Sequence, residues 1–308
     1  KTFFINLGYL RFLKQIDIFL SSYVVYDFPN SLNKIYINHD IYDTPMVDLE
    51  KEKNLIKALN KCDHIFLSSE IVISSLQKKM NYYTENQIKN KRPQLINTGY
   101  LKLDHVYEKL KKNKLEEDSI LLAPTLSTTL RDFNLDDYLD LIIKEVLNNT
   151  NLKIIYRPHP GDKTNPTKNL IINNINDKYK NNKNFKIDFD TSYLDSYKKS
   201  KILITDFSGT AYTYAFSKLR PIIFFSKNEN DLLKSSFNNL HFFKDRLKVG
   251  KIVQNIDNLN EEIYSVDKKI EFYSNQIKIL RSERIKFFKS SIKQNIVNLM
   301  NIINVKKK

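Results

Sequence analysis

Two stretches hold the residue types that do chemistry. ILITDFSGTAYTYAFSKLRPIIFF, residues 202–225, runs as an apolar strand into Asp206, Phe207, Ser208 and Gly209, then into a helical pattern from Thr210. KIIYRPHPGD, residues 153–162, runs as a strand into Arg157, Pro158, His159 and Pro160. In an open parallel α/β sheet, ligands bind just beyond the carboxyl ends of the strands. A Ser-Gly-Thr turn opening a helix offers backbone N–H groups and the positive end of the helix dipole, which suits a phosphate. A histidine at a second strand end adds an acid, a base or a phosphate ligand. A third strand, ILLA at 120–123, ends in Pro124, Thr125 and Leu126. The pattern predicts an enzyme handling a phosphorylated or nucleotide-linked substrate.

These ends need elements to aim them. Short apolar runs recur with helical or polar segments between them. In the first part they are 2–7, 16–20, 23–26, 34–37, 64–67 and 94–97. In the second part they are 119–122, 152–156, 185–189, 202–205 and 221–225, with helices predicted over 134–148 and 192–199. Alternating strand and helix predicts parallel sheets covered by helices. The first part repeats the strand-end pattern at Asn38, His39 and Asp40, at Ser68, Ser69 and Glu70, and at Thr98, Gly99 and Tyr100. Two sheets with edges facing a common cleft make a two-Rossmann-domain transferase. The charged stretch KLKKNKLEED, 109–118, reads as the junction. The predicted domains are an acceptor domain over 1–112, a nucleotide-donor domain over 113–263, and basic amphipathic helices over 264–308.

Composition narrows the classes. The 308 residues suit two domains, and a 41% hydrophobic content supplies their cores. The chain starts at Lys1, as a trimmed sequence would, and no signal peptide is visible in it. No apolar run approaches the roughly 18 residues of a membrane span. The single cysteine, Cys62, makes no internal disulfide and fits a reducing cytoplasm. One Cys and five scattered His show no zinc spacing, so no metal is expected. Net charge is +15, and residues 264–308 hold eleven Lys and Arg against three Asp and Glu. Such charge favours anionic partners. In that tail Ile270, Tyr273, Ile277, Leu280, Phe287, Ile292, Ile296, Leu299 and Ile303 recur at helical spacing, with a slip after Phe287. The stripe packs on the protein, or its basic surroundings meet anionic lipid at the inner membrane face.

Several blocks together resemble the CDP-glycerol glycerophosphotransferase family, the teichoic-acid polymerase and primase group. DHIFLSSE at 63–70 and INTGYLKLDHVYEKL at 96–110 resemble its SE and GxPRxDxL region. ILLAPTL resembles its APTWR block, YRPHP its HP block, and TDFSG with RPIIFF its TDYSS block. GKIVQNIDNLNEEI, 250–263, resembles the strand and helix that close the second domain. The resemblance spans about 35–263. It implies a GT-B fold and a reaction in which an acceptor hydroxyl attacks the β-phosphorus of a CDP-alditol, releasing CMP without a cofactor. It places His39, in INHDIYDTP, at the family's WHG histidine, as base for the acceptor, with Asp40 beside it on the acceptor side. It places His159 at the HP histidine, holding the donor phosphate or protonating the leaving group.

The same resemblance puts Asp206, Ser208, Gly209 and Thr210 at the diphosphate and nucleotide, with Thr125 and Arg157 as further donor contacts. Read from the residues alone, Asp206 and Ser208 are helix caps, Thr125 a turn residue, and Arg157 the partner of a carboxylate. The sequence departs from the family where Asn38 and Asp40 flank the first histidine, where Gly209 replaces a serine, and where no WR follows APT. The expected partners are a CDP-alditol and a glycan acceptor of a surface polymer, capsule or teichoic-acid-like, with no nucleic acid. The rival readings are a GT-B glycosyltransferase using a CMP- or UDP-sugar, a basic nucleic-acid-binding protein, and a non-catalytic assembly partner.

Overall fold

A computed structural model of the chain describes residues 18–26, 33–44, 49–84, 92–112, 117–127 and 132–305. The run expected at 2–7 lies outside them. The chain divides into two compact units. One holds residues 1–101 and 284–308, the other 102–283.

The first unit carries four strands, β1 (Ile18–Ser21), β2 (Asn33–Ile37), β3 (His64–Leu67) and β4 (Gln94–Asn97). They pair in that order, all parallel. Helices α1 (Leu49–Leu59) and α2 (Glu70–Thr84) connect them. Ile35, Ile56, Ile65, Phe66 and Leu67 are buried in this layer. The run at 23–26 is not a strand. The Ser21 hydroxyl donates to the Tyr23 carbonyl at 2.7 Å and accepts the Tyr23 N–H at 3.0 Å. That local turn ends β1, and leaves Tyr23 and Tyr26 exposed.

The second unit opens with α3 (Leu101–Lys111). Its sheet has β5 (Ser119–Leu122), β6 (Lys153–Tyr156), β7 (Phe185–Ile187), β8 (Ser200–Thr205), β9 (Ile222–Phe225) and β10 (Gly250–Val253). The spatial order is β10-β9-β8-β5-β6-β7, and every pairing is parallel. β5 and β9 read SILL and IIFF and are buried throughout. Continuous apolar runs are what a parallel sheet covered on both faces requires. The crossovers are α4 (Leu139–Asn149), α5 (Pro160–Lys163), α6 (Pro166–Tyr179), α7 (Leu194–Lys199) and α8 (Thr210–Lys218). Three short helices follow β9: α9 (Glu229–Lys234), α10 (His241–Lys244) and α11 (Arg246–Val249). After β10 come α12 (Leu259–Lys268) and α13 (Ile270–Arg284).

The units divide the chain differently from the expected boundaries. The charged stretch at 109–118 lies inside the second unit, because α3 buries Leu103, Val106 and Leu110 there. The Arg281 guanidinium of α13 lies 5.7 Å from the Tyr107 ring centre. The tail is split as well. α13 buries Tyr273, Ile277 and Leu280 in the second unit. The last helix, α14 (Ser291–Val305), belongs to the first.

α14 packs on a side its apolar pattern did not forecast. Ser291 and Asn295 are buried, whereas Ile292 and Ile296 are more than half exposed. The cause lies at Gly99, whose φ is +77°. A Cβ there would stand 2.9 Å from the Phe287 Cβ and 3.0 Å from the Ser291 Cβ. The close approach demands a small residue on the helix, and Asn295 Nδ2 donates to the Thr98 carbonyl at 3.4 Å.

Candidate active site

In the second unit the chain starts its sheet at β5 and builds outward through β6 and β7. It then returns to the other side of β5 with β8. The reversal puts the topological switch point between β5 and β8, where the crevice beyond the strand ends takes ligands. The ends of β8, β5 and β6 are therefore neighbours. They bring residues 206–210, 123–127 and 157–162 to one edge.

Asp206 bridges the switch point. It is buried at 2% exposure, and its Oδ1 accepts the N–H groups of Thr125 at 3.0 Å and Phe207 at 2.7 Å. Its Oδ2 accepts the Leu135 N–H at 3.3 Å. Burial raises the carboxyl to about 6 against the pull of these three donors. Asp206 and Thr125 were both expected at the donor. The contact between them is instead internal. The carboxylate shapes the loop after β5, and the Thr125 main chain is one of its ligands.

His159 begins α5 as its N-cap. Its Nδ1 accepts the Gly161 N–H at 3.1 Å. The neutral ring therefore carries its proton on Nε2. Partial burial lowers the imidazole below its ordinary value, with the nearby Asp162 opposing. At pH 7 His159 is thus neutral, and Nε2–H is a hydrogen-bond donor. Asp162 is a buried neighbour of His159 that was not expected from the sequence. It accepts the Ser127 hydroxyl at 2.5 Å and the Ser127 N–H at 3.2 Å. Asn134 Nδ2 donates to the Ser127 carbonyl at 2.9 Å. The signal was present in the HPGD run, where an acid three residues past a helix cap faces back into the turn.

The Arg157 guanidinium is engaged within the protein. Nη1 donates to Asp188 Oδ2 at 2.5 Å, and Nη2 to the Asp190 carbonyl at 2.7 Å. Longer bonds at 3.4 Å reach the carbonyls of Ser192 and Thr191. Asp188 also accepts the Ser196 hydroxyl and the Asp190 N–H. These bonds hold its carboxyl below the usual range although burial, the largest influence, acts to raise it. The side chain expected as a phosphate fork is a brace for the loop between β7 and α7.

Ser208, Gly209 and Thr210 form the entry to α8. The Ser208 carbonyl accepts the Ala211 N–H at 3.0 Å, and its hydroxyl lies 3.4 Å from the Thr210 nitrogen. Gly209 has ordinary helical angles, φ −57° and ψ −18°, so the glycine is not required by backbone conformation. The Thr210 hydroxyl pairs with the buried Tyr197 hydroxyl at 2.6 Å. The turn at 208–210 thus opens α8, with the Thr210 N–H donating to the Ser208 hydroxyl. At the other end of α8, the buried Lys218 donates to the carbonyls of Tyr197 and Ser200 and pairs with Glu117 at 3.1 Å. Burial lowers its ammonium to about 8.

The first unit places His39 and Asp40 just past β2. His39 is exposed, and its Nδ1 lies 3.1 Å from the Ser22 carbonyl oxygen and 3.2 Å from the Tyr36 hydroxyl. The Tyr100 hydroxyl donates to the His39 carbonyl at 2.5 Å. The Asp40 N–H donates to Asn38 Oδ1 at 2.6 Å. So the imidazole is oriented by Ser22 and Tyr36, while the Asp40 main chain closes the turn that carries it. Tyr36 was invisible as a site residue because it reads as a core aromatic of β2, while Tyr100 was legible only as a strand-end residue with no role assigned. Among the described residues no group of three His, Cys, Asp or Glu converges to hold a metal.

Two parallel α/β sheets, with a switch-point edge that carries a capped histidine, make a fold of the GT-B type. The profile of the CDP-glycerol:poly(glycerophosphate) glycerophosphotransferase family matches residues 35–301, and the chain belongs to that family. The wall teichoic acid polymerase TagF matches in structure with a TM-score of 0.59 at 17% identity, over 90% of this chain and 69% of TagF. A histidine-to-asparagine variant of TagF soaked with CDPG matches at 0.58 and 17% identity, over 91% of this chain and 69% of that one. The UDP-GlcNAc 2-epimerase of Methanocaldococcus jannaschii, in complex with UDP-GlcNAc and UDP, matches at 0.51 and 16% identity, over 88% and 68%. At these identities the structural matches speak for the fold. A search of curated proteins by sequence found no match.

Proposed function

We propose that this chain transfers a phosphoalditol of the glycerol-phosphate type from a CDP-linked donor to a hydroxyl of a surface glycan, capsule or teichoic-acid-like. The acceptor oxygen forms a bond to the β-phosphorus, and the bond from that phosphorus to the bridging oxygen breaks. CMP leaves with the bridging electrons, and the acceptor proton passes to the protein. The observation that carries this reading is His159, a neutral imidazole offering Nε2–H beside the switch-point loops. Family membership supplies the donor class.

In this reading Nε2–H of His159 and the main-chain N–H groups opening α8 receive the diphosphate, where fixed donors stabilise developing charge. No cofactor is invoked. His39 takes the acceptor proton on Nε2. No described helix is long and apolar enough to cross a membrane. The exposed Ile292, Ile296, Val297 and Met300 of α14, near Lys286, Lys289 and Lys293, suit a peripheral contact with anionic lipid.

Calorimetry with CMP, CDP-glycerol and a UDP-sugar, alongside CMP release with acceptor present, tests the reading. His159→Ala is expected to weaken donor binding and turnover together. His39→Ala is expected to keep donor affinity and lose roughly 10²–10⁴-fold in turnover. Binding of a UDP-sugar with no binding of CMP or CDP-glycerol overturns the donor assignment.

A further inference from the structure

His39 is held by more than its own loop, and the groups that hold it dictate where its proton sits. The Ser22 carbonyl oxygen, 3.1 Å from Nδ1, can only accept. Nδ1 must therefore be the donor. The Tyr36 oxygen, 3.2 Å from the same nitrogen, accepts a share of that N–H. Tyr36 is 7% exposed, and burial first, then Asp40, pushes its phenol up, so it stays a neutral hydroxyl. A second buried hydroxyl fixes the main chain, since Tyr100 is 4% exposed and donates to the His39 carbonyl at 2.5 Å. The two tyrosines come from separate places, Tyr36 within β2 and Tyr100 just after β4. No bond to Nε2 is made among the described residues, and His39 is exposed.

We propose that Tyr36 and Tyr100 are positioning residues that, with the Ser22 carbonyl, hold His39 as an Nδ1–H imidazole with its Nε2 lone pair open to a substrate hydroxyl. This rests on the reading of His39 as the base. A neutral ring in the other tautomer would put N–H at the open position and have no lone pair there. When the acceptor O–H breaks and its proton joins Nε2, the ring becomes an imidazolium. Its Nδ1–H bond to the carbonyl is then charge-assisted and stronger. The carbonyl thus does, through the main chain, what a carboxylate does for the histidine of a hydrolase triad. The hydroxyl of Tyr36 narrows the ring's rotation, and that of Tyr100 keeps the carbon backbone beneath it in register.

The test is ring ¹⁵N NMR of the full chain labelled at histidine, with His39→Gln identifying the His39 signals, and turnover of CDP-glycerol in parallel. With the ring neutral, the wild type is expected to show a protonated Nδ1 and a bare Nε2 at His39. Tyr36→Phe is expected to turn that single pattern into a mixture. Tyr36→Phe and Tyr100→Phe are each expected to lower kcat about tenfold, the worth of one hydrogen bond, with the donor KM unchanged. A protonated Nε2 in the wild type overturns the proposal whatever the variants do. So does wild-type kcat in both variants. Full turnover by His39→Gln removes the base reading, and with it the catalytic meaning of the clamp. The tautomer pattern judges the clamp itself, with or without activity, and Tyr100→Phe supplies the variant test should Tyr36→Phe not fold.

Discussion

The Oδ1 of Asp206 accepts the backbone N–H of Thr125 at 3.0 Å, across the point where the sheet of the second unit reverses its order. The bond ties the end of β8 to the end of β5. A carboxylate with three main-chain donors is a loop organiser, and its removal leaves buried N–H groups without partners. Asp206→Ala is therefore expected to destabilise the second unit by at least about 2 kcal/mol and to weaken donor binding with it. Denaturant melts and calorimetry read both. An unchanged melt would mean water replaces the carboxylate at no cost.

The same group gives a pH signature. Its folded value, about 6, lies above the unfolded value near 3.8. The protonated form is thus favoured by folding. Its contribution to stability is full below about 4 and is lost as pH rises through about 6. Melts of the wild type minus those of Asp206→Asn, taken from pH 4 to pH 7, are expected to fall with rising pH. A difference that rises with pH would show that the N–H donors outweigh burial.

Arg157 yields a separate expectation. Its pair with Asp188 is nearly enclosed, with side-chain exposures of 12% and 4%. Breaking such a pair strands the remaining charge. Arg157→Ala is expected to cost about 3 kcal/mol, and Arg157→Lys to recover only part, since an ammonium cannot reproduce the fork. A phosphate ligand would behave otherwise, losing donor affinity in Arg157→Lys at constant melting temperature.

Much of this was legible in the residues. β3, β4 and β5 lie where their short runs predict; β5 is buried throughout, as a strand covered on both faces requires, whereas β4 is the edge strand and only partly buried. The strand-end residues of the second unit share an edge because every pairing in its sheet is parallel. Their individual roles were less legible. Asp206, Arg157 and Thr125 have the chemistry of ligand contacts and also that of loop braces. Which one holds depends on partners 31 residues away for Arg157 and 81 for Asp206. α14 misled for a different reason. Its apolar spacing predicts a buried stripe, but the close approach at Gly99 selects Ser291 and Asn295 for burial. Backbone proximity leaves no periodic signal.

That approach is itself testable. Gly99→Ala meets a positive φ and two Cβ atoms at about van der Waals overlap, Phe287 at 2.9 Å and Ser291 at 3.0 Å. The added methyl is expected to cost about 2 kcal/mol or more, by strain and by lifting α14. Thermal melts check the cost. A melt within about 0.5 kcal/mol of wild type would mean α14 shifts freely and contributes little to the first unit.

The exposed stripe of α14 lets the proposed lipid contact be tested apart from folding. Deleting the tail from residue 285 onward would confuse the two, because Ile285, Ser291 and Asn295 are buried. Ile292→Ser with Ile296→Ser changes only residues that are 58% and 55% exposed. The pair is expected to leave the melting temperature within about 2 °C, since exposed substitutions rarely exceed about 0.5 kcal/mol. Sedimentation with anionic vesicles is expected to fall, because each buried CH₂ is worth about 0.8 kcal/mol at a lipid surface. Lys286→Gln with Lys293→Gln is expected to weaken the same binding and to reduce its salt dependence, as polybasic attraction contributes about 1 kcal/mol per Lys. Neutral vesicles serve as the control. Equal sedimentation of both variants with the wild type would show that the stripe faces something other than lipid.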